Sequence, residues 1–355
     1  MVINRNLNFH VFAGCKIVSG FRRSIIYDLN RYDYHLIPNG LADLLTDCSG
    51  KTINEVCQLY DESEQPALEQ YFDFLIKNEI IFFTDVEFAN RFPRISEKFV
   101  NASHITNCLI LDRGAHNWAS IIDQLESVLC KSAKVYFIKN HGFDNFCEAL
   151  KLDSTLVSTE VVVNYDPKFA KSQLDILFEE NPLIVKYYIF NSPSDEVYYS
   201  NISIATAVYL EREMEMPDMP QRVSLNSFNV EFVQFFEAQE HHLYYNQKMF
   251  INENGDIHSE GFSGNPYGNI YNDSVFEIIQ TPDFQKLWNR SRDQIHKCRE
   301  CEFRYMCLFD GQPVKNDFSD EYMLRTECGY NPHNATFILD DNVGNNLAIN
   351  NIELP

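Results

Sequence analysis

Cys298, Cys301 and Cys307, with a fourth cysteine at Cys328, are the residues of this chain best spaced to do chemistry. They read C-x2-C-x5-C, followed by 20 residues and a further C. A C-x2-C turn aims two thiolates at one centre, and a third and fourth complete a four-sulfur cage. Cages of this kind hold zinc or an iron–sulfur cluster, and the ligands alone do not separate the two. No other cysteine pair in the sequence has metal-ligand spacing. Chemistry is therefore expected near the C-terminus. Either metal would clamp the loop-rich stretch from Lys297 to Cys328, which has few periodic apolar residues of its own. A structural role in folding is the primary expectation for the site. Lys297, Arg299 and Arg304 lie close by in sequence and could offset the charge of a thiolate cage.

The chain has 355 residues, enough for two or three domains, and 45% of them are hydrophobic. A formal net charge of -22 argues against nucleic acid and anionic membrane as partners, because phosphate repels such a field. Met1 to Phe9 holds no apolar run, and no stretch approaches a membrane span. The expectation is a cytoplasmic protein with reduced thiols, where clustered cysteines mean metal or catalysis more often than cross-links. Cys15, Cys48, Cys57, Cys108, Cys130 and Cys147 are scattered and read as small buried hydrophobes.

The cage must be positioned by the elements before it. Up to about residue 95, strands at Val11 to Ile17 and Ser24 to Tyr27 precede a strand or helix entry at Tyr34 to Pro38. A helix capped by Asn39 runs through Leu45, a second capped by Thr52 runs from Ile53 to Tyr60, and a third runs from Pro66 to Asn78. The strand Ile80 to Phe83 closes the segment. This order describes a small winged-helix domain.

From about 100 to 240, strand and helix alternate. Strands are expected at Ile105 to Leu111, Val135 to Ile138, Thr159 to Val163 and Val185 to Phe190. Helices are expected at Trp118 to Leu129, Phe143 to Leu150, Pro167 to Glu180 and Ala205 to Glu213. The alternation implies parallel pairing, in a partial barrel or an open sheet. A strand at Val223 to Phe228 and a helix at Phe232 to Gln239 follow. A strand at Tyr244 to Ile251 leads into a hairpin at Asn254-Gly255, with helices at Val275 to Ile279 and Phe284 to Ile295.

Lys248 to Ile257, Gly268-Asn269-Ile270, the cysteine run with Phe303-Arg304-Tyr305, and Cys328-Gly329-Tyr330 together resemble a SPASM domain, over roughly residues 241–332. These domains are C-terminal extensions of radical SAM enzymes that modify ribosomally made peptides. The sequence is most similar to the SPASM-domain peptide maturases of grasp-with-spasm systems. The resemblance implies an α/β chain with a PqqD-like winged-helix peptide-recognition domain (1–95), a degenerate radical SAM-like partial β/α barrel (96–240), a reduced SPASM domain (241–335) and a C-terminal tail (336–355). It implies a ribosomal precursor peptide and an ATP-grasp ligase as partners. In that family the leader peptide adds a strand to the winged-helix sheet.

Departures from the family sharpen the expectation. A radical SAM core needs C-x3-C-x2-C after its first strand. Here Cys108 is followed, four and seven positions on, by Asp112 and Ala115, and the motif occurs nowhere in the chain. No S-adenosylmethionine cluster is expected. A full SPASM run continues with a further cysteine where Gly311 stands, and no cysteine lies between Cys147 and Cys298. By analogy with the family, Cys298, Cys301, Cys307 and Cys328 all bind one auxiliary [4Fe-4S] cluster, with zinc as the alternative, and the second site has been lost.

The function expected is peptide maturation in which this chain binds the precursor and works with the ligase. Two alternatives stand beside it. One is an enzyme with a site rebuilt around Asp112, Arg113 and His116. The other is a zinc-stabilised interaction protein. His241-His242 lacks metal-ligand spacing, Gly261 to Gly264 does not make a nucleophile elbow, and no phosphate-binding glycine loop is present.

Overall fold

Strands and helices of the first hundred residues follow the apolar pattern closely. The computed structural model describes residues 5–92, 94–151, 155–214, 228–316 and 318–337. β1 (Asn8–Val11), β2 (Cys15–Ser19), β3 (Ser24–Asp28) and β4 (Asp33–Ile37) come first. β2, β3 and β4 form an antiparallel sheet in that order, and every residue of β3 is buried. α1 (Asn39–Cys48) buries Leu41, Leu44, Leu45 and Cys48, a helical stripe. α2 (Ile53–Cys57) starts in a capping box, with Thr52 and Glu55 each accepting from the other's backbone N–H. α3 (Gln65–Lys77) buries Leu68, Phe72 and Leu75, and β5 (Ile81–Thr84) pairs antiparallel with β1.

Three details differ from expectation: the strand expected at Val11 to Ile17 is broken by a turn between β1 and β2, α2 ends at Cys57 rather than Tyr60, and the cap of α1 is not the one expected. Asn39 does not cap α1; Pro38 holds the capping position. The Asn39 amide instead donates to the Phe21 carbonyl and accepts from the Ser24 hydroxyl, fastening the β2–β3 turn.

The chain divides into two units. One takes 1–99, 221–243 and 290–355; the other takes 100–220 and 244–289. The second is built on β6 (Asn107–Asp112), α4 (Trp118–Ser127), β7 (Ser132–Phe137), α5 (Phe143–Leu150), β8 (Ser158–Asn164), α6 (Lys171–Glu180), β9 (Ile184–Phe190), β10 (Glu196–Tyr199) and β11 (Thr206–Tyr209). After α7 (Phe232–Glu240), which belongs to the first unit, it regains β12 (Lys248–Ile251), β13 (Asp256–His258), β14 (Gly268–Asn269) and α8 (Val275–Ile279). Among the described residues, nine strands form one sheet in the order β10-β11-β9-β8-β7-β6-β12-β13-β14. The pairs among β6, β7, β8 and β9, with β9–β11 and β6–β12, are parallel. The sheet is open, with β10 and β14 at its edges. α4, α5, α6 and α8 cover one face through Ile121, Leu125, Phe146, Leu174, Val275 and Ile279.

Two expected helices are absent. Residues 206–209 form β11, where Ala207 and Tyr209 are buried and Thr206 and Val208 half-buried; this period of two, paired to β9, overrides helix propensity. Phe284 to Ile295 forms turns and a short 3-10 segment at Arg292–Gln294, although Phe284, Leu287 and Trp288 reach the core. The strand expected at Val223 to Phe228 lies outside the described residues except for Phe228, which bridges to Cys307.

The first unit is completed by two small hairpins, β15 (Pro313–Lys315) with β16 (Tyr322–Leu324) and β17 (Tyr330–Asn331) with β18 (Thr336–Phe337). Its second core joins residues far apart in sequence: Val18, Ile25 and Tyr27 of the N-terminal sheet, Phe235 and Phe236 of α7, and Phe303, Met306 and Tyr330 around the cysteines. Among the described residues no helix is long and apolar enough to cross a membrane.

Candidate metal centre

The cysteine segment is held by backbone bonds that regular secondary structure does not supply. Cys298–Glu300 make one 3-10 turn, closed by the Cys301 N–H donating to the Cys298 carbonyl at 3.0 Å. Lys297, immediately before, has φ +68°, the left-handed region that costs a non-glycine residue energy. Arg304 Nη1 donates to the Cys301 carbonyl at 3.0 Å and to the Ser19 carbonyl of β2 at 2.7 Å. Phe228 stacks on Phe303 with ring centroids 4.5 Å apart, and its bridge to Cys307 holds the other end of the turn.

Cys298, Cys301, Cys307 and Cys328 line one cavity, together with Phe228, Arg292, Lys297, Arg304, Tyr330 and Pro332. The cavity is small, about 30 Å³, and opens to solvent. Cys298 and Cys307 are buried, and Cys301 and Cys328 half-buried. Burial pushes the Cys298 thiol up to about 11 against the pull of Arg292, with Cys307 and Cys328 adding to the rise. Burial likewise raises Cys301, where Glu302 and Cys307 contribute, and Cys307, where Arg292 opposes it. Thiolate ligation of a metal here would displace the thiol protons.

Among the described residues, no three or more His, Cys, Asp or Glu side chains close on a point that could grip a single metal ion. A tetrahedral zinc site with Zn–S bonds of about 2.3 Å would bring its sulfurs to about 3.8 Å from one another. All four thiols line the same cavity without meeting at such a point among the described residues.

Of the cations expected nearby, Lys297 and Arg304 line the cavity, and Arg304 also pairs with Asp293 at 2.8 Å. Arg299 pairs with Glu321 at 3.0 Å on the surface. The cation that sequence reasoning missed is Arg292. It is 2% exposed and lines the cavity, with Nη1 3.8 Å from Cys298 Sγ. Its Nη2 donates to the carbonyls of Cys307, at 3.2 Å, and Phe309, at 2.5 Å. No motif places an arginine six residues before a C-x2-C turn, so spacing carried no signal for it.

Gly311, where a full SPASM run has cysteine, packs against Phe309; an added Cβ would stand 2.3 Å from that ring. Cys108 is fully buried in β6, within the core of the second unit, and burial raises its thiol far above the ordinary range. Asp112 ends β6 fully buried. Its Oδ1 accepts from the Gly114 N–H at 2.6 Å, and its Oδ2 lies beside Gly142, which precedes α5. A carboxylate there answers the positive end of α5. His116 is buried, its Nε2 2.7 Å from the Leu111 carbonyl and its Nδ1 2.7 Å from the Tyr271 hydroxyl. Arg113 lies 3.4 Å from Glu253 at the surface. Both ring nitrogens of His116 and Oδ1 of Asp112 are thus engaged in holding loops, while the buried Oδ2 of Asp112 has no hydrogen-bond partner among the described residues.

Residues 244–302 match the family model of SPASM, an iron–sulfur cluster-binding domain. No curated protein matches the chain. Among solved structures, the chain is similar to crystal structures of Streptococcus suis SuiB, one bound to S-adenosylmethionine and one to the precursor peptide SuiA. Each is 12% identical, covering 90% of this chain and 99% of that one, with a TM-score of 0.33. The chain is thus a mixed α/β protein with a large, mainly parallel sheet and a SPASM-type iron–sulfur segment.

Proposed function

We propose that this chain is a maturation protein for a ribosomally synthesised peptide, carrying one [4Fe-4S] cluster on Cys298, Cys301, Cys307 and Cys328. One observation carries the reading: four thiols line a single cavity in a chain whose adjoining segment matches an iron–sulfur-binding domain. When bound, the cluster supplies a covalent clamp and a one-electron store. The protein's own residues do the rest. Arg292, Lys297 and Arg304 place positive charge at the cavity, and Phe228 and Tyr330 form part of its wall. A cysteine in place of Gly311 would require the Phe309 ring to move, which is in keeping with one site kept and one removed.

In this reading residues 1–95 are the PqqD-like winged helix that takes the precursor's leader peptide. Residues 96–240 are a degenerate radical SAM-type partial barrel without its own cluster. Residues 241–335 are the reduced SPASM domain, and 336–355 its tail. The partner is an ATP-grasp ligase, and the compartment is the cytoplasm. The sequence resemblance supports these assignments, as does the order of strands and helices in the first hundred residues. Anaerobic co-purification with the precursor leader and the ligase tests the role. Measurable leader binding by the full chain, alone or with the ligase, is expected; none in either setting refutes it.

A further inference from the structure

We propose that Arg292 is the fixed counter-charge of the cluster and sets how readily it is reduced. The inference rests on the cluster reading above and deepens it. A guanidinium never loses its proton at working pH, so its burial at 2% exposure places a full positive charge out of water. A buried cation normally finds a carboxylate. Among the described residues none lies within ion-pair reach of Arg292. Three donor contacts are instead spent on the cysteine loop: Cys298 Sγ, the Cys307 carbonyl and the Phe309 carbonyl. Two of these are neutral carbonyls, so the compensating charge must come from the cavity that Arg292 lines.

A thiolate-ligated cluster in that cavity supplies it, because its four thiolates leave it with net negative charge, and one-electron reduction adds another. A positive charge held in a poorly solvated position favours the more negative, reduced state and so raises the reduction potential. Lys297 is half-exposed, and Arg304 is already paired with Asp293. Arg292 is the cation whose field is least screened. It acts through the cluster's ligands and is a positioning residue.

The test uses full-length wild type, Arg292→Lys and Arg292→Met, reconstituted anaerobically with iron and sulfide and assayed for both per chain. Each is titrated with dithionite in the presence of mediators, and circular dichroism checks that the fold is retained. Arg292→Met is expected to shift the midpoint to a more negative potential, and Arg292→Lys to restore most of the shift. Arg292→Met titrating with wild type at equal cluster content would overturn the proposal, and so would Arg292→Lys shifting as far as Arg292→Met. A variant that takes up no iron is read by Cd²⁺ titration of the apo chain, followed by thiolate-to-metal absorption. There Arg292→Met should bind about tenfold or more weakly, with Arg292→Lys closer to wild type; equal affinities overturn the role. Wild type that takes up no iron refutes the cluster reading, and the Cd²⁺ comparison then decides Arg292 on its own.

Discussion

Arg23 and Glu302 form an ion pair at 2.7 Å, although 279 residues separate them. The Glu302 side chain is fully buried and Arg23 is 15% exposed. The same carboxylate oxygen accepts from the Tyr330 hydroxyl at 2.5 Å, and the Glu302 carbonyl accepts from the Tyr27 hydroxyl at 2.8 Å. The residue next to Cys301 is thereby tied to β3 and to the turn before it. Within the first unit, the N-terminal sheet and the cysteine loop share one core.

Removing one partner of such a pair strands the other charge. Glu302→Ala should destabilise the first unit by about 3–5 kcal/mol, measured by denaturant unfolding. Arg23→Met together with Glu302→Gln should cost less than the sum of the two single changes. Strict additivity would mean that the pair contributes no coupling.

Gly142 packs so tightly on Asp112 that an ideal Cβ would stand 1.8 Å from Oδ2. Gly142→Ala should destabilise the second unit by about 1–3 kcal/mol, as forced overpacking does. Adding Asp112→Ala, which removes the clash, should recover part of that loss. A Gly142→Ala protein with unchanged unfolding would show that the contact relaxes freely.

Thiol labelling should separate the cysteines by environment. Burial pushes Cys15, Cys130 and Cys147 up to about 12, so at pH 8 they carry almost no reactive thiolate. Iodoacetamide followed by peptide mass spectrometry should modify half-exposed Cys57 first and leave those three unmodified until unfolding. The cavity thiols should resist labelling in loaded protein and become labelled after chelation. Equal labelling before and after chelation would argue that nothing binds there.

His10 gives the first unit a pH response. Its ring stacks on Phe82, and Nε2 has no hydrogen-bond partner among the described residues. Burial holds its pKa below the ordinary histidine value. Just below that value the unfolded chain binds more protons than the folded one, so stability falls as pH falls. The His10 contribution is complete above about pH 6.5 and declines as the pH drops toward the folded-state pKa. Thermal melts from pH 7.5 to 5 should show that loss, and His10→Gln should flatten it.

The sequence carried the periodic parts of this fold. α1, α3, α4, α5 and the strands β6 to β9 follow from apolar spacing of 3.6 or 2 residues, and the parallel order follows from their alternation. β11 was hidden because Ala and Glu propensity in its neighbourhood mimics a helix, and only pairing with β9 decides it. The four cysteines were legible because ligand spacing is local. Arg292 and Glu302 were not. Their importance lies in what folding brings against them, the thiols for one and Arg23 for the other, and neither partner is signalled by nearby sequence.

The central claim is that Cys298, Cys301, Cys307 and Cys328 hold one iron–sulfur cluster, and elemental analysis of anaerobically purified protein tests it most directly. The account predicts about four iron and four sulfide per chain with a brown absorption band, both lost in Cys328→Ser. Colourless protein containing one zinc per chain, or no metal at all, would contradict it.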